Sequence, residues 1–498
     1  MRFEGNRSVS KAYKEAVVVP LFENAVTRLS WIGEFDSALH KDIAHVISKG
    51  DFKGKQSAML TLYRPEANFK RVVLVGAGKK REFNLEKLRK LVASVDTAVQ
   101  QFNVRGYTML IEPLLPLSAS DYIVGKACAE AIVLSRFEFD AFKSKQEKTK
   151  KDLNVVFWGA PRGDFNKGIQ DGVTIGANVN FVREIVNTPS NTLTPAVLAE
   201  KAQAIARELP GLSCTVFDKN KIEELGMNGI ISVAKGSICE PKFIILEYDG
   251  AQGKQGRPIV AVGKGVTFDT GGISLKPCNG MEKMKYDMGG AGAVIGFMKS
   301  AVELKLPYHL VGIIPTVENM PSASAYKPGD VITMASGKTV EVLSTDAEGR
   351  LILADALDYA VKNYNPSALF DLATLTGACM VALGNKAVAL MGNNRGIMRK
   401  AQQYAENSGE RVWELPLWDD YSEMIKSDVA DIKNTGGPGA GTITAGAFLK
   451  EFVGNTPWIH MDIASTAWMD TTERGYLCKG ATGVGVRLLC EIIRNWNK

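Results

Sequence analysis

Histidine is scarce in this chain. Only His40, His45, His309 and His460 occur among 498 residues, and none forms a His-x-x-x-His or His-Glu pair. A histidine-ligated zinc site is therefore not expected, and any metal has to rest on carboxylates. Paired cysteines are lacking as well. The seven present, Cys128, Cys214, Cys239, Cys278, Cys379, Cys478 and Cys490, are odd in number and widely spaced, with no Cys-x-x-Cys. That excludes a zinc-thiolate framework and suits free thiols in a reducing compartment. Cys278 has no histidine placed to activate it as a nucleophile. No apolar run approaches the roughly 20 residues of a membrane span, and the first one, Ala16 to Phe22, is broken by Pro20. The opening residues Met1 to Ser8 carry no apolar core like that of a signal peptide, so a cytoplasmic protein is expected. The net charge of +6 is too small to imply nucleic acid by itself. Its only local support is the lysine-bearing stretch Phe142 to Asp152, which reads first as a solvated loop.

What remains is a chain with 45% hydrophobic and 23% charged residues, the composition of a globular protein. Its length exceeds one ordinary core, so two domains are expected. The fold class expected is α/β, a small N-terminal α/β domain joined by a helix to a larger C-terminal domain with a mixed sheet covered by helices. Residues 1–165 alternate strand-like runs at Ala16–Val19, Arg71–Gly76 and Val155–Trp158 with helix-like runs at Asn84–Gln101 and Asp121–Ser135. Residues 166–190 read as a connecting helix and linker, and a helix from about Phe165 to Val186 should stop before Pro189. Residues 191–498 form the second domain. Strands are expected at Phe243–Glu247, Ile259–Val262, Leu310–Ile314, Leu369–Leu372 and Trp458–Met461, with a helix at Ala291–Leu304. A hairpin over Val331–Leu343 should turn at Ser336-Gly337-Lys338. A helix from about Ala347 to Asn363 repeats Leu353, Ala356, Leu357, Ala360 and Tyr364 on one face.

Chemistry concentrates in two places. One is Ser344-Thr345-Asp346-Ala347-Glu348-Gly349-Arg350-Leu351, at a strand-to-helix junction. The other runs from Val262 through Lys264, Asp269, Gly271, Gly272 and Lys276, followed by Lys285-Tyr286-Asp287-Met288. Taken singly, Asp346 reads as a helix N-cap and Glu348 as a first-turn acid. Gly263-Lys264-Gly265 lacks the third glycine of a dinucleotide loop, since Phe268 stands there. Taken together, Asp269, Asp287, Asp346 and Glu348 would crowd four negative charges, which cannot all stay ionised without a compensating cation. Two divalent ions with oxygen ligands, Zn, Mn, Mg or Co, would supply it and could activate a shared water. Arg350 stays charged and can hold an anion.

The block from Ser344 to Leu351 closely resembles the signature of the leucine aminopeptidase (cytosol aminopeptidase) family, with Ser344 where the family has Asn. The upstream block from Val262 to Met288 is similar in order and spacing, as are Asn187–Asn191, Tyr326–Val331, Ala373–Ala378, Gly439–Ala445 and Lys479–Gly483. The resemblance covers roughly residues 170 to 498, while the N-terminal third matches in general layout. It implies a two-metal exopeptidase using Mn or Zn. Asp269 and Glu348 would bridge both ions, Lys264 and Asp287 would complete the tighter site, and Asp346 the more exchangeable one. Lys276 would stabilise the oxyanion, and Arg350 would hold a bicarbonate acting as general base. Met284, Thr374, Gly377 and Ala464 match positions lining the first side-chain pocket, and the Leu375 backbone matches a substrate or bicarbonate contact. Ala467 stands where some relatives have a bulkier pocket residue. The resemblance further implies peptide substrates with a free N-terminus, a leucine-type preference and a homohexamer. The competing readings are another two-metal hydrolase, such as a phosphoesterase, and an additional nucleic-acid role.

Overall fold

The computed structural model describes the chain apart from residues 1, 7–11, 14, 24–29, 66–68, 116, 146–152, 161–162, 254–255, 474 and 498. Most of the lysine stretch at Phe142–Asp152 thus lies outside the described residues; Lys143 and Lys145 are exposed. Two compact units result, Met1–Ala177 with Thr472–Cys478, and Asn178–Thr471 with Lys479–Lys498. The division falls inside the helix Phe165–Asn187. Among the described residues no helix is long and apolar enough to cross a membrane.

The first unit holds a six-stranded sheet in the order Phe3–Asn6, Asn154–Trp158, Gly106–Leu110, Val17–Phe22, Arg71–Gly78, Met59–Tyr63. Only Met59–Tyr63 runs antiparallel to its neighbour. The inner strand Val17–Phe22 is buried at every position, which explains its unbroken apolar composition; a parallel strand covered on both faces has no polar side. The helix Asp121–Ser135 starts where Ser120 caps it, its hydroxyl accepting from the Ile123 amide at 3.4 Å.

The second unit is built on a nine-stranded mixed sheet, with helices among the connections. Its centre is parallel: Trp458–Asp462, Ala368–Ala373, Ile259–Gly263 and His309–Asn319 lie side by side in that order. Lys242–Asp249 then joins antiparallel at one side, and Val388–Gly392 at the other. From Ile259–Gly263 the chain passes through helix Gly289–Glu303 to His309–Asn319 on one side. It then returns through the hairpin Val331–Thr333/Thr339–Glu341 and helix Gly349–Tyr364 to Ala368–Ala373 on the other side. The strand order therefore reverses at Ile259–Gly263. Open α/β sheets place ligand sites at the carboxyl ends of strands beside such a reversal.

The core beneath is dense. Leu353, Ala356, Leu357 and Ala360 of helix Gly349–Tyr364 are fully buried, and Tyr364 packs half-buried against the same cluster. The strand expected to end at Ile314 continues through Pro315 to Asn319. Pro315 falls in a gap on one side, where pairing with Ile259–Gly263 ends at Ile313 and pairing with Gly265–Asp269 begins only at Thr316. On the other side it stays in register with Phe243.

Candidate metal centre

The carboxyl edge of the parallel strands gathers the predicted residues. Lys264 follows Ile259–Gly263 directly, Asp269 closes Gly265–Asp269, and Thr374 follows Ala368–Ala373. Asp287 comes from the 3-10 turn Met281–Met288, and Glu348 stands immediately before helix Gly349–Tyr364. Three glycines make this convergence fit. A Cβ on Gly349 would lie 2.4 Å from Lys264 Cε, so a larger residue there would push the lysine end out of its present place. Gly271 and Gly272, with φ of 86° and 65°, turn the chain sharply after Asp269.

The cluster has an inner and an outer part. In the inner part Lys264 Nζ lies 2.8 Å from Asp287 Oδ1 and 2.8 Å from Glu348 Oε1, and donates to the Thr374 carbonyl at 2.8 Å. The Thr374 hydroxyl donates to Asp287 Oδ1 at 2.7 Å. In the outer part Lys276 Nζ lies 2.7 Å from Asp269 Oδ2 and also pairs with Asp346 Oδ1. Asp269 Oδ1 accepts from the Gly271 amide at 2.9 Å and from Asn319 Nδ2 at 2.8 Å. The inner groups are almost wholly buried, whereas Asp346 is 38% exposed. Ligand oxygens of Asp269, Asp346 and Glu348 lie within 4.8 Å of one another.

The electrostatics point one way. Burial, then the neighbouring Glu348 carboxylate, raises Asp269 above the usual carboxylate range. Burial raises Asp287 well above it despite Lys264, and raises Asp346 with help from Asp269. Burial alone would lower Lys264 and Lys276, but the surrounding carboxylates outweigh it and raise both. Acids and lysines alike are driven to take up positive charge. The donor set fits a cation on independent grounds. Asp287 Oδ2 and Glu348 Oε2 are buried with no hydrogen-bond partner, and a buried carboxylate oxygen left so carries a desolvation cost that a cation would remove.

Neither plain capping reading is observed. Helix Gly349–Tyr364 has Glu348 in the capping position with no side-chain cap bond, and Asp346 lies outside it. Arg350 is not drawn into the carboxylate contacts. Its Nη1 donates to the Asn434 carbonyl at 2.7 Å, its Nε is buried and unpartnered, and burial pushes it down to about 10. Met284 is half-buried in the turn that leads to Asp287, and Ala464 is buried with its amide donating to Asp462 Oδ1 at 3.1 Å. The Leu375 amide donates to the same oxygen at 3.2 Å. Gly377 opens helix Gly377–Leu383 at the surface, where an added Cβ would meet nothing within 4 Å. A Cβ on Gly289 would meet Thr374, Ala467 and Ile463 at 3.4–3.7 Å.

Three buried polar residues of this edge were not singled out from sequence: Asn319, Asn434 and Asp462. Asn319 and Asp462 each end an apolar strand, a signal that could have flagged them. Asn434 carries none.

Comparison with known proteins covers nearly the whole chain. Residues 180–490 match the cytosol aminopeptidase family, catalytic domain, and residues 18–146 match the cytosol aminopeptidase family, N-terminal domain. The likeness thus extends into the N-terminal third, where the sequence reading found only a similar layout; that part carries no catalytic motif to betray it. A probable cytosol aminopeptidase of Geotalea uraniireducens is 46% identical, covering 93% of each chain. One of Geobacter sulfurreducens is 43% identical, covering 96% of each. Among solved structures, the bottromycin maturation enzyme BotP in complex with Mn superposes with a TM-score of 0.85 at 29% identity, covering 97% of this chain and 100% of its own.

Proposed function

The chain belongs to the cytosol aminopeptidase family and is a hydrolase of the aminopeptidase class, and from that premise we propose that it is a two-metal exopeptidase acting at the cluster of Lys264, Asp269, Asp287, Asp346 and Glu348. The observation that carries this is the pair of buried, unpartnered oxygens, Asp287 Oδ2 and Glu348 Oε2, inside a cluster with more carboxylates than lysines. Lys264 and Asp287 would hold one ion, Asp346 the other, and Asp269 and Glu348 would serve both. Mn or Zn suits these donors, and the Mn-bound relative supports manganese. When bound, the ions would supply an acidified water and a polarised carbonyl.

The remaining work falls to the chain's own groups. Lys264 must release its proton to act as a ligand, and a neighbouring dication opposes protonation strongly enough for that. Lys276, an ammonium already held between Asp269 and Asp346, donates toward the oxyanion that develops on the scissile carbonyl. Arg350, at the start of helix Gly349–Tyr364, would hold a bicarbonate ion in the role of general base, helped by the free amides of that helix end. Met284, Thr374, Gly377 and Ala464 would line the site for the first side chain, with leucine-type residues preferred, and the Leu375 backbone would contact the substrate or the bicarbonate. The substrates are peptides with a free N-terminus, met in the cytoplasm by a homohexamer. The alternative hydrolase and nucleic-acid readings draw no support from the site.

Metal analysis of the purified protein, run beside release of the first residue from a leucyl peptide and its N-acetylated form, tests the proposal. Two ions per chain, loss of activity on chelation and cleavage of the free peptide alone are expected. Equal cleavage of both peptides, or full activity after chelation, overturns it.

A further inference from the structure

Asn434 lies far from the two motif blocks in sequence and is fully buried. It follows the short strand Ile432–Lys433, which pairs in parallel with Thr339–Glu341, and its own amide donates to the Glu341 carbonyl at 2.9 Å. Its backbone is thereby tied to the sheet. Its side chain reaches the loop that carries Asp346. Oδ1 accepts from the Leu343 amide at 2.8 Å and the Ser344 amide at 3.3 Å. Nδ2 donates to the Ser344 carbonyl at 2.6 Å and, at 3.5 Å, to that of Ala347. Its carbonyl accepts from Arg350 Nη1 at 2.7 Å. One residue thus holds the Asp346 loop on one side and the buried guanidinium on the other.

We infer that Asn434 is a positioning residue: it sets the Asp346 loop and Arg350 relative to each other, and so the affinity of the outer ion. Ser344 makes this dependence stronger. Its own hydroxyl accepts from the Asp346 amide at 3.2 Å, its backbone amide is left to Asn434, and its carbonyl is shared between Asn434 and the Ala347 amide at 3.3 Å. An amide is required because the task needs an acceptor and a donor on one short, rigid arm. Aspartate keeps the acceptor but places an oxygen against two carbonyls.

The inference rests on the two-ion reading of the cluster, and the experiment separates the two. Mn titrations by calorimetry, with thermal melting of the chelated protein, are run on the full chain as wild type, Asn434→Ala, Asn434→Asp and Asp431→Ala. Asp431 is the control. It ties the same segment to Thr339, accepting from its amide at 2.8 Å and its hydroxyl at 2.9 Å. Both asparagine variants are expected to weaken one of two ions about tenfold to a hundredfold, as the loss of one or two buried hydrogen bonds implies. The other ion stays unchanged, and Asp431→Ala leaves both unchanged. If Asn434→Ala does not fold, Asn434→Asp decides alone. Two ions bound at wild-type affinity in the variants, or equal weakening in Asp431→Ala, overturns the positioning role. Fewer than two ions in the wild type overturns the reading of the centre, and the inference with it.

Discussion

Both units bury charge, but they dispose of it differently. In the first unit Asp96, on helix Leu85–Gln100, receives the Arg136 guanidinium at 2.7 Å and 2.6 Å and the Tyr107 hydroxyl at 3.1 Å. One carboxylate meets one guanidinium in a two-point pair, and the charge is closed. In the second unit four carboxylates meet two lysines, and two carboxylate oxygens are left with no partner. Burial alone marks neither as functional, because Asp96 and the inner groups Lys264, Asp287 and Glu348 are all almost inaccessible. What separates them is unspent valency. A structural pair consumes its lone pairs and charge locally, whereas a ligand site keeps some open at a cost to the empty fold.

The sharpest break in that comparison is removal of a carboxylate from the open set. Glu348→Ala deletes the group proposed to serve both ions, so activity should fall to background and metal content should fall with it. Lys276→Ala is its counterpart. It is not among the proposed ligands, so both ions should stay while turnover drops about 10²–10³-fold, the usual cost of one oxyanion donor. Elemental analysis beside single-substrate kinetics reads both. A Glu348→Ala protein that keeps two ions would show that the valency of the cluster is spent elsewhere.

The closed pair predicts the opposite pattern. Arg136→Leu leaves Asp96 buried with only the Tyr107 hydroxyl, an uncompensated charge that typically costs about 3–5 kcal/mol. The melting temperature should fall clearly. Metal content and turnover per folded chain should hold, measured well below the new transition. A variant that melts normally but loses metal would erase the distinction between the two regions.

How much of this was legible beforehand follows the same physics. Helix Asp121–Ser135 was placed at its observed ends because Ser120, the acid after it and an apolar run all agree. The hairpin was placed because Ser336-Gly337-Lys338 supplies a turn with Gly337 at a φ of 91°. The strand expected to end at Ile314 runs past it: a proline in mid-strand normally marks an end, and here it is accommodated by a gap in pairing on one side while the other side stays in register. The clustered acids and lysines were legible because their chemistry is dense in sequence. Asn434 was not, since a lone polar residue carries no pattern, and only the fold reveals that its bonds go to the Asp346 loop and Arg350. The N-terminal unit was legible as α/β but not as kin, for it offers no constellation that only one chemistry would explain.

Asp355 offers the finest test, because it belongs to neither class. It is fully buried on helix Gly349–Tyr364 with no cation beside it among the described residues, and is held by backbone amides, from Ala335 at 3.0 Å and Ile230 at 3.1 Å. Burial pushes it up to about 7, against the pull of those amides. The unfolded value is about 3.9. Across that window the folded chain binds more protons than the unfolded one, so this group's contribution to stability falls as pH rises and levels off above the folded value. Asp355→Asn carries no titrating group and should remove that slope. Its net effect near pH 7 should be small, about 1 kcal/mol in either direction, since relief of a buried charge offsets the loss of one acceptor. The readout is the melting temperature of chelated wild type minus variant between about pH 4 and pH 7. The acids of the metal cluster titrate in both proteins and cancel in the difference. A difference that falls with rising pH shows that the amides alone do not keep Asp355 ionised and that the fold holds it as a neutral acid, which sets it apart from the closed pair. A flat difference would mean that the amides hold it ionised throughout and that it belongs with the closed pair.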